Sequence, residues 1–168
     1  MTEGMHQQYT AIIADDHAIV RDGLRVALEK PGFVEERGIR VVAEAADGLQ
    51  TIEKVKLARP DLLLLDISMP HASGAEILTE VRRWSPDTKI VIVTAIMAPG
   101  VLASLVDDGV DGIFSKAGDN ADLYTKLPLI LRGGRHVEKT IAHVIGDRPD
   151  FVALSARERQ TLNMIIAG

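Results

Sequence analysis

Short apolar runs alternate five times with amphipathic stretches along this chain, the pattern of a parallel sheet wrapped by helices. The runs predict strands at Thr10–Ala14, 39–43, Leu62–Leu65, 90–93 and Gly112–Ser115. Runs one, three and four are apolar at nearly every position rather than at alternate ones. Helices covering both faces of a sheet produce that signature, so these three strands should be central. Between the runs, Val20, Leu24, Ala27 and Leu28 share a helical face that stops before Pro31, and Ile52, Val55 and Ala58 share another before Pro60. A third helix is predicted over Gly74–Trp84, with Ile77, Leu78 and Val81 inward and Ser85-Pro86-Asp87 as its stop. The connection 97–109 is helical but interrupted at its start by Pro99 and Gly100. A last helix, 120–131, halts at Gly133-Gly134.

The organisation that follows is a mobile N-terminal arm over 1–9, one α/β domain over 10–132, a linker over 133–153 and the start of a second unit over 154–168. The linker carries a short helical pattern (Val137, Ile141, Val144, Ile145) before Gly146, Pro149 and Asp150. Ser155-Ala156-Arg157-Glu158 has the Ser-x-x-Glu spacing of a capping box, and Leu162, Ile165 and Ile166 follow at helical spacing. A length of 168 residues suits one domain with a small appendage. Neither the apolar share of 46% nor the charged share of 26% suggests disorder. The absence of cysteine excludes disulfides, thiolate metal sites and a Cys nucleophile. No apolar run approaches the roughly 20 residues a membrane helix needs, and no basic start precedes a long apolar stretch, so no membrane association and a cytoplasmic location are expected. A net charge of −5 argues against a strongly basic nucleic-acid surface.

In an open α/β sheet, ligands bind outside the carboxyl ends of the strands. Asp15 and Asp16 follow strand one, Asp66 follows strand three, Thr94 strand four and Lys116 strand five. A lone Asp at a strand end usually caps a helix or sits in a turn. Three together repel one another and require an offsetting cation, and Lys116 brings only one positive charge. A divalent ion completes the balance. With oxygen donors and room for water and phosphate, Mg²⁺ fits better than Ca²⁺, while Zn²⁺ would want His or Cys nearby. The five histidines do not cluster in sequence: His6 lies in the arm, and His17 and His71 are read as solvent-facing loop residues. The parts present are those of phosphoryl transfer: Asp66 as carboxylate nucleophile, Asp15 and Asp16 to hold the ion, Thr94 and Lys116 to meet phosphoryl oxygens.

The set Asp15-Asp16, Asp66-Ile67-Ser68-Met69-Pro70 with Gly74, Thr94-Ala95 and Lys116 resembles the receiver domain of two-component response regulators, over about residues 10–131. The resemblance implies a five-stranded parallel sheet in the order 2-1-3-4-5 with helices on both faces. It also implies a Mg²⁺ held by Asp16, Asp66 and the Ser68 main-chain carbonyl, with Asp15 assisting through water, and phosphorylation of Asp66 by a histidine kinase. The tail, Leu154-Ser155-Ala156-Arg157-Glu158-Arg159 with Leu162 and Ala167-Gly168, looks like the opening helix of a LuxR-type helix-turn-helix domain. That likeness implies the NarL/FixJ group of transcription regulators, a possible homodimer, and DNA contact only through a C-terminal domain missing from this chain.

Two departures stand out. The position three before the lysine, aromatic in many receivers, is Ile113, and Phe114 points to the other face. The connection 31–38 is longer than the family usually carries. Among rival readings, a haloacid dehalogenase-type phosphohydrolase would need an Asp two residues after the nucleophile, where Ser68 stands, so an enzyme that turns over is not expected. A nucleotide-binding reading lacks both glycine-rich signatures after strand one. A receiver that only scaffolds would not fill all five site positions.

Overall fold

Strands one, three and four do lie in the middle. The computed structural model describes residues 8–117 and 120–146, and its sheet is β1 (Thr10–Ala14), β2 (Arg40–Ala45), β3 (Leu62–Leu65), β4 (Lys89–Thr94), β5 (Gly112–Ser115) and β6 (His136–Val137). The order is β2-β1-β3-β4-β5-β6, with every pairing parallel. The helices are α1 (Ala18–Glu29), α2 (Gly48–Ala58), α3 (Gly74–Trp84), α4 (Pro99–Asp107), α5 (Ala121–Leu131) and α6 (Lys139–Ile145).

Because β1, β3 and β4 are apolar on both sides, the core divides into two layers. On one side Ile12, Leu63, Leu65, Ile90, Ile92 and Ile113 pack against α2, α3, α4 and α6. On the other, Ala11, Ile13, Leu62, Leu64, Val91, Val93 and Phe114 pack against α1 and α5. Ile113 and Phe114 therefore do face opposite ways, and both are fully buried.

The sheet has one strand more than expected. The segment following Gly133-Gly134, read as a linker, instead adds β6 to the open edge of β5 in the register Gly112↔His136 and Ile113↔Val137. The helical pattern after it folds as α6, which buries Ile141 and Ile145 in the α4-side layer. Apolar side chains four apart on a helix must find cover, and the surface beside α4 supplies it. Residues 1–7 of the arm read over 1–9, the rest of the linker and the tail read as the opening of a helix-turn-helix unit lie outside the described residues.

Connection 31–38 is a docked turn. Gly32 and Gly38 take positive φ values of 82° and 74°. Val34 enters the α1/α5 layer, Phe33 meets Tyr124 edge-on at 5.2 Å, and the Glu35 carboxylate accepts two bonds from the Arg132 guanidinium at 2.9 Å each. The connection fastens α1 to α5.

Candidate functional site

Parallel register brings the carboxyl ends of β1 and β3 side by side, Ala14 opposite Leu65, so the residues that follow each strand emerge together. Asp66 N–H donates to the Ala14 carbonyl at 2.9 Å, Asp15 N–H to the Ala45 carbonyl at 3.0 Å, and Lys116 N–H to the Thr94 carbonyl at 2.9 Å. The ladder thus runs one residue past each strand and fixes the backbone that carries the site.

Asp15 is 2% exposed, Asp66 1% and Thr94 0%. Lys116 Nζ reaches both buried acids, at 2.7 Å from Asp15 Oδ2 and 2.9 Å from Asp66 Oδ2. The other oxygen, Asp66 Oδ1, accepts from the Ser68 backbone N–H at 3.0 Å and from its hydroxyl at 2.8 Å. Burial pushes the Asp66 carboxyl up, but the Lys116 hydrogen bond and then the two Ser68 donors outweigh it, and the group ends below the ordinary carboxylate value. For Lys116 burial favours the neutral amine, and the hydrogen bonds to Asp15 and Asp66 reverse that, leaving it above the ordinary lysine value. Both groups are charged at neutral pH. Thr94 Oγ1 accepts from the Ile96 N–H at 3.0 Å, which leaves its own proton to donate.

The α1 end of the crevice is pinned by the main chain. His17 N–H donates to Asp15 Oδ1 at 2.8 Å, and Arg21 Nη1 donates to the Asp15 carbonyl at 2.6 Å while its Nε bonds Glu44 at 3.0 Å. The His17 ring is 67% exposed, as its loop reading requires, yet Nδ1 turns inward to lie 3.0 Å from Asp16 Oδ1 and 3.2 Å from Asp15 Oδ1. Sequence reasoning placed this ring in solvent and missed its aim. It also credited Ser68 only with a carbonyl, whereas the hydroxyl bonds the Asp66 carboxylate directly. His71, at φ 73° in the loop before α3, is exposed and belongs to no described metal-ligand group.

Ligand atoms of Asp15, Asp16, His17 and Asp66 all lie within 4.8 Å of one another, a span one ion can bridge. Three carboxylates face a single lysine, so the donor set carries uncompensated negative charge and fits a divalent cation. On the far side of Lys116, Ser115 N–H donates to Glu138 Oε2 at 2.6 Å, and Glu138 N–H donates to the Ile113 carbonyl at 2.9 Å. The junction of β6 and α6 is thereby tied to the residue beside the lysine.

Comparisons with known proteins agree with this arrangement. Residues 11–128 match the response regulator receiver domain model. The probable transcriptional regulatory protein NarL of Mycobacterium tuberculosis is 31% identical, over 100% of this chain and 78% of the relative. A LuxR-family two-component response regulator from Aurantimonas superposes with a TM-score of 0.73 at 29% identity, over 84% of this chain and 97% of that one. RcsB, in a structure of two dimers bound to two parallel DNAs, gives a TM-score of 0.73 at 27% identity, over 83% of this chain and 68% of that one. Among the described residues no helix is long and apolar enough to cross a membrane. As a receiver, the chain is a phosphoacceptor with a histidine kinase for a partner, not a catalytic enzyme. With the acidic crevice, the parallel order 2-1-3-4-5 and a family match over most of its length, the chain belongs to the response regulator receiver domains, among relatives that are NarL-family transcriptional regulators.

Proposed function

We propose that Asp66 accepts a phosphoryl group from the phosphohistidine of a partner kinase, and that the resulting acyl phosphate biases this domain between two conformations. The observation that carries the reading is the Lys116 ammonium bridging two buried carboxylates, which holds Asp66 ionised despite its burial. An ionised Asp66 oxygen attacks phosphorus; the O–P bond forms as the P–N bond breaks, and the imidazole leaves with its ring nitrogen free to take a proton. Lys116 Nζ, already beside Asp66 Oδ2, balances one phosphoryl oxygen. The Thr94 hydroxyl donates to another.

Asp15, Asp16, Asp66 and the Ser68 main-chain carbonyl are the residues that would hold Mg²⁺, whose charge would offset that of the incoming group. Moving a two-state balance almost completely takes about 5.5 kcal/mol of differential stabilisation, which new bonds from Thr94 and Lys116 to an added dianion can supply. The readout is the surface around α4 and β5, altering homodimerisation or the availability of a DNA-binding segment beginning near residue 154, in a cytoplasmic setting. RcsB, which is seen as dimers on DNA, supports this last step by likeness.

Incubation with acetyl phosphate and Mg²⁺, followed by intact-mass and peptide mapping, should give a single labile phosphoryl adduct on Asp66 that disappears in Asp66→Asn. An adduct elsewhere, or steady release of phosphate with no adduct, refutes the proposal.

A further inference from the structure

Glu138 stands where β6 gives way to α6, and it serves both elements at once. His136 N–H donates to the Asp111 carbonyl at 3.1 Å, and Glu138 N–H donates to the Ile113 carbonyl at 2.9 Å. The next bond of a parallel ladder runs from the Ser115 N–H to the Glu138 carbonyl. That carbonyl has turned into α6, where it accepts from the Ala142 N–H at 2.8 Å. The carboxylate takes its place, and Ser115 N–H donates to Glu138 Oε2 at 2.6 Å. Glu138 is the N-cap of α6 but makes no side-chain capping bond, because its side chain is committed to β5.

That carboxylate ends beside the phosphoryl chemistry. Each amide of the segment carrying Lys116 has its own partner: Ser115 bonds Glu138, Lys116 bonds the Thr94 carbonyl at 2.9 Å, and Ala117 bonds Ser115 Oγ at 3.0 Å. The Lys116 ammonium meanwhile reaches Asp15 and Asp66. At the other end, α6 buries Ile141 and Ile145 in the layer that also holds Leu102, Leu105 and Val106 of α4. We infer that Glu138 relays the phosphorylation state of Asp66 into α6. This rests on the reading of Asp66 as the phosphoacceptor, and adds the route by which its state leaves the crevice. When Lys116 Nζ turns from Asp66 Oδ2 to a phosphoryl oxygen, the backbone that carries it shifts and the Ser115 amide shifts with it. Glu138 passes that displacement to the helix it begins. Coupling of this kind is reciprocal, so the docking of α6 also biases where Lys116 stands.

Two variants separate the bond from the charge. Glu138→Gln removes the charge but keeps a side-chain carbonyl able to accept from Ser115. Glu138→Asp keeps the charge on a chain one methylene shorter, and Asp is a favoured N-cap, so α6 is retained while the carboxylate is withdrawn from β5. The test is amide chemical shifts of the full 168-residue chain with and without beryllium fluoride and Mg²⁺. In the parent and in Glu138→Gln, the amides of Thr94, Ser115, Lys116 and 139–145 should all move. In Glu138→Asp, Thr94 and Lys116 should still move while the response over 139–145 falls about three-fold or more. If 139–145 stay put in the parent while the crevice responds, or respond as fully in Glu138→Asp, the relay is refuted and the phosphoacceptor reading survives. If the crevice amides respond in none of the three proteins, that reading fails and the relay with it.

Discussion

Asp66 and Lys116 hold one another in their charged forms, and the direction of each displacement sets a pH window. The folded Asp66 lies below its ordinary value of 3.8, so its contribution to stability is present above that value and is lost as pH falls through the folded one. The folded Lys116 lies above 10.5, so its contribution is present below that value and is lost as pH rises through the folded one. Lys116→Met should therefore destabilise the metal-free protein by about 3 kcal/mol at pH 7, the order expected when a mostly buried charge cluster loses its cation. In urea unfolding that difference should shrink at pH 3, where Asp66 in the variant is protonated. An equal loss at both pH values would show that the lysine acts through packing alone. The meeting of Asp15, Asp16, Asp66 and Lys116 was legible in the sequence, because they stand one or two residues past strand runs and the ends of parallel strands converge. The aim of the His17 ring was not legible. It depends on the backbone at the N-cap, φ −101° and ψ 112°, which residue identity does not dictate.

Helix α2 begins at Gly48, earlier than its apolar face first shows at Ile52, and the glycine is there for room. A Cβ at this position would stand 2.4 Å from the Ala72 Cβ, and Gly48 N–H donates to the Pro70 carbonyl at 2.9 Å. Gly48→Ala should cost about 1–3 kcal/mol and displace the loop that leads from Asp66 to α3, which amide chemical shifts at 67–72 would register. Ser73 and Glu76 form a reciprocal capping box at the start of α3, so Ser73→Ala should lower stability by about 1 kcal/mol in chemical denaturation. The bounds of β1, β3, β5 and α3 follow the sequence pattern residue for residue. Those of β2 and β4 do not: β2 runs on through Glu44, a charged residue that belongs in the strand because Arg21 and Arg25 pair with it. β4 takes in Lys89 and Thr94, the polar residues that bracket its apolar run. β6 escaped notice because two residues are too few to show a period.

On the scale of the whole molecule, β6 and α6 are a structural part of the domain. Ile141 and Ile145 are 0% exposed, and His136 joins the first turn of α5 to the sheet through an Asp122 contact at 3.0 Å while lying against Phe114. Ending the chain after Arg132 would remove both isoleucines and bare the outer edge of β5. A loss of about 3–6 kcal/mol is expected from burial alone at about 1.5–3 kcal/mol per side chain. The shortened protein should also self-associate through the bared edge, measurable by thermal unfolding and sedimentation. Unchanged melting and a monomer would show that the extension is dispensable.

The same extension decides where this receiver can be cut and spliced. The double glycine at 133–134 looks like a natural seam, yet the chain leading downstream from it runs through Glu138, whose carboxylate holds the amide beside Lys116. A chimera joined at the glycines would discard that handle along with the sixth strand. One joined after Gly146 keeps it, so a reporter grafted there inherits that bond as well as the sixth strand.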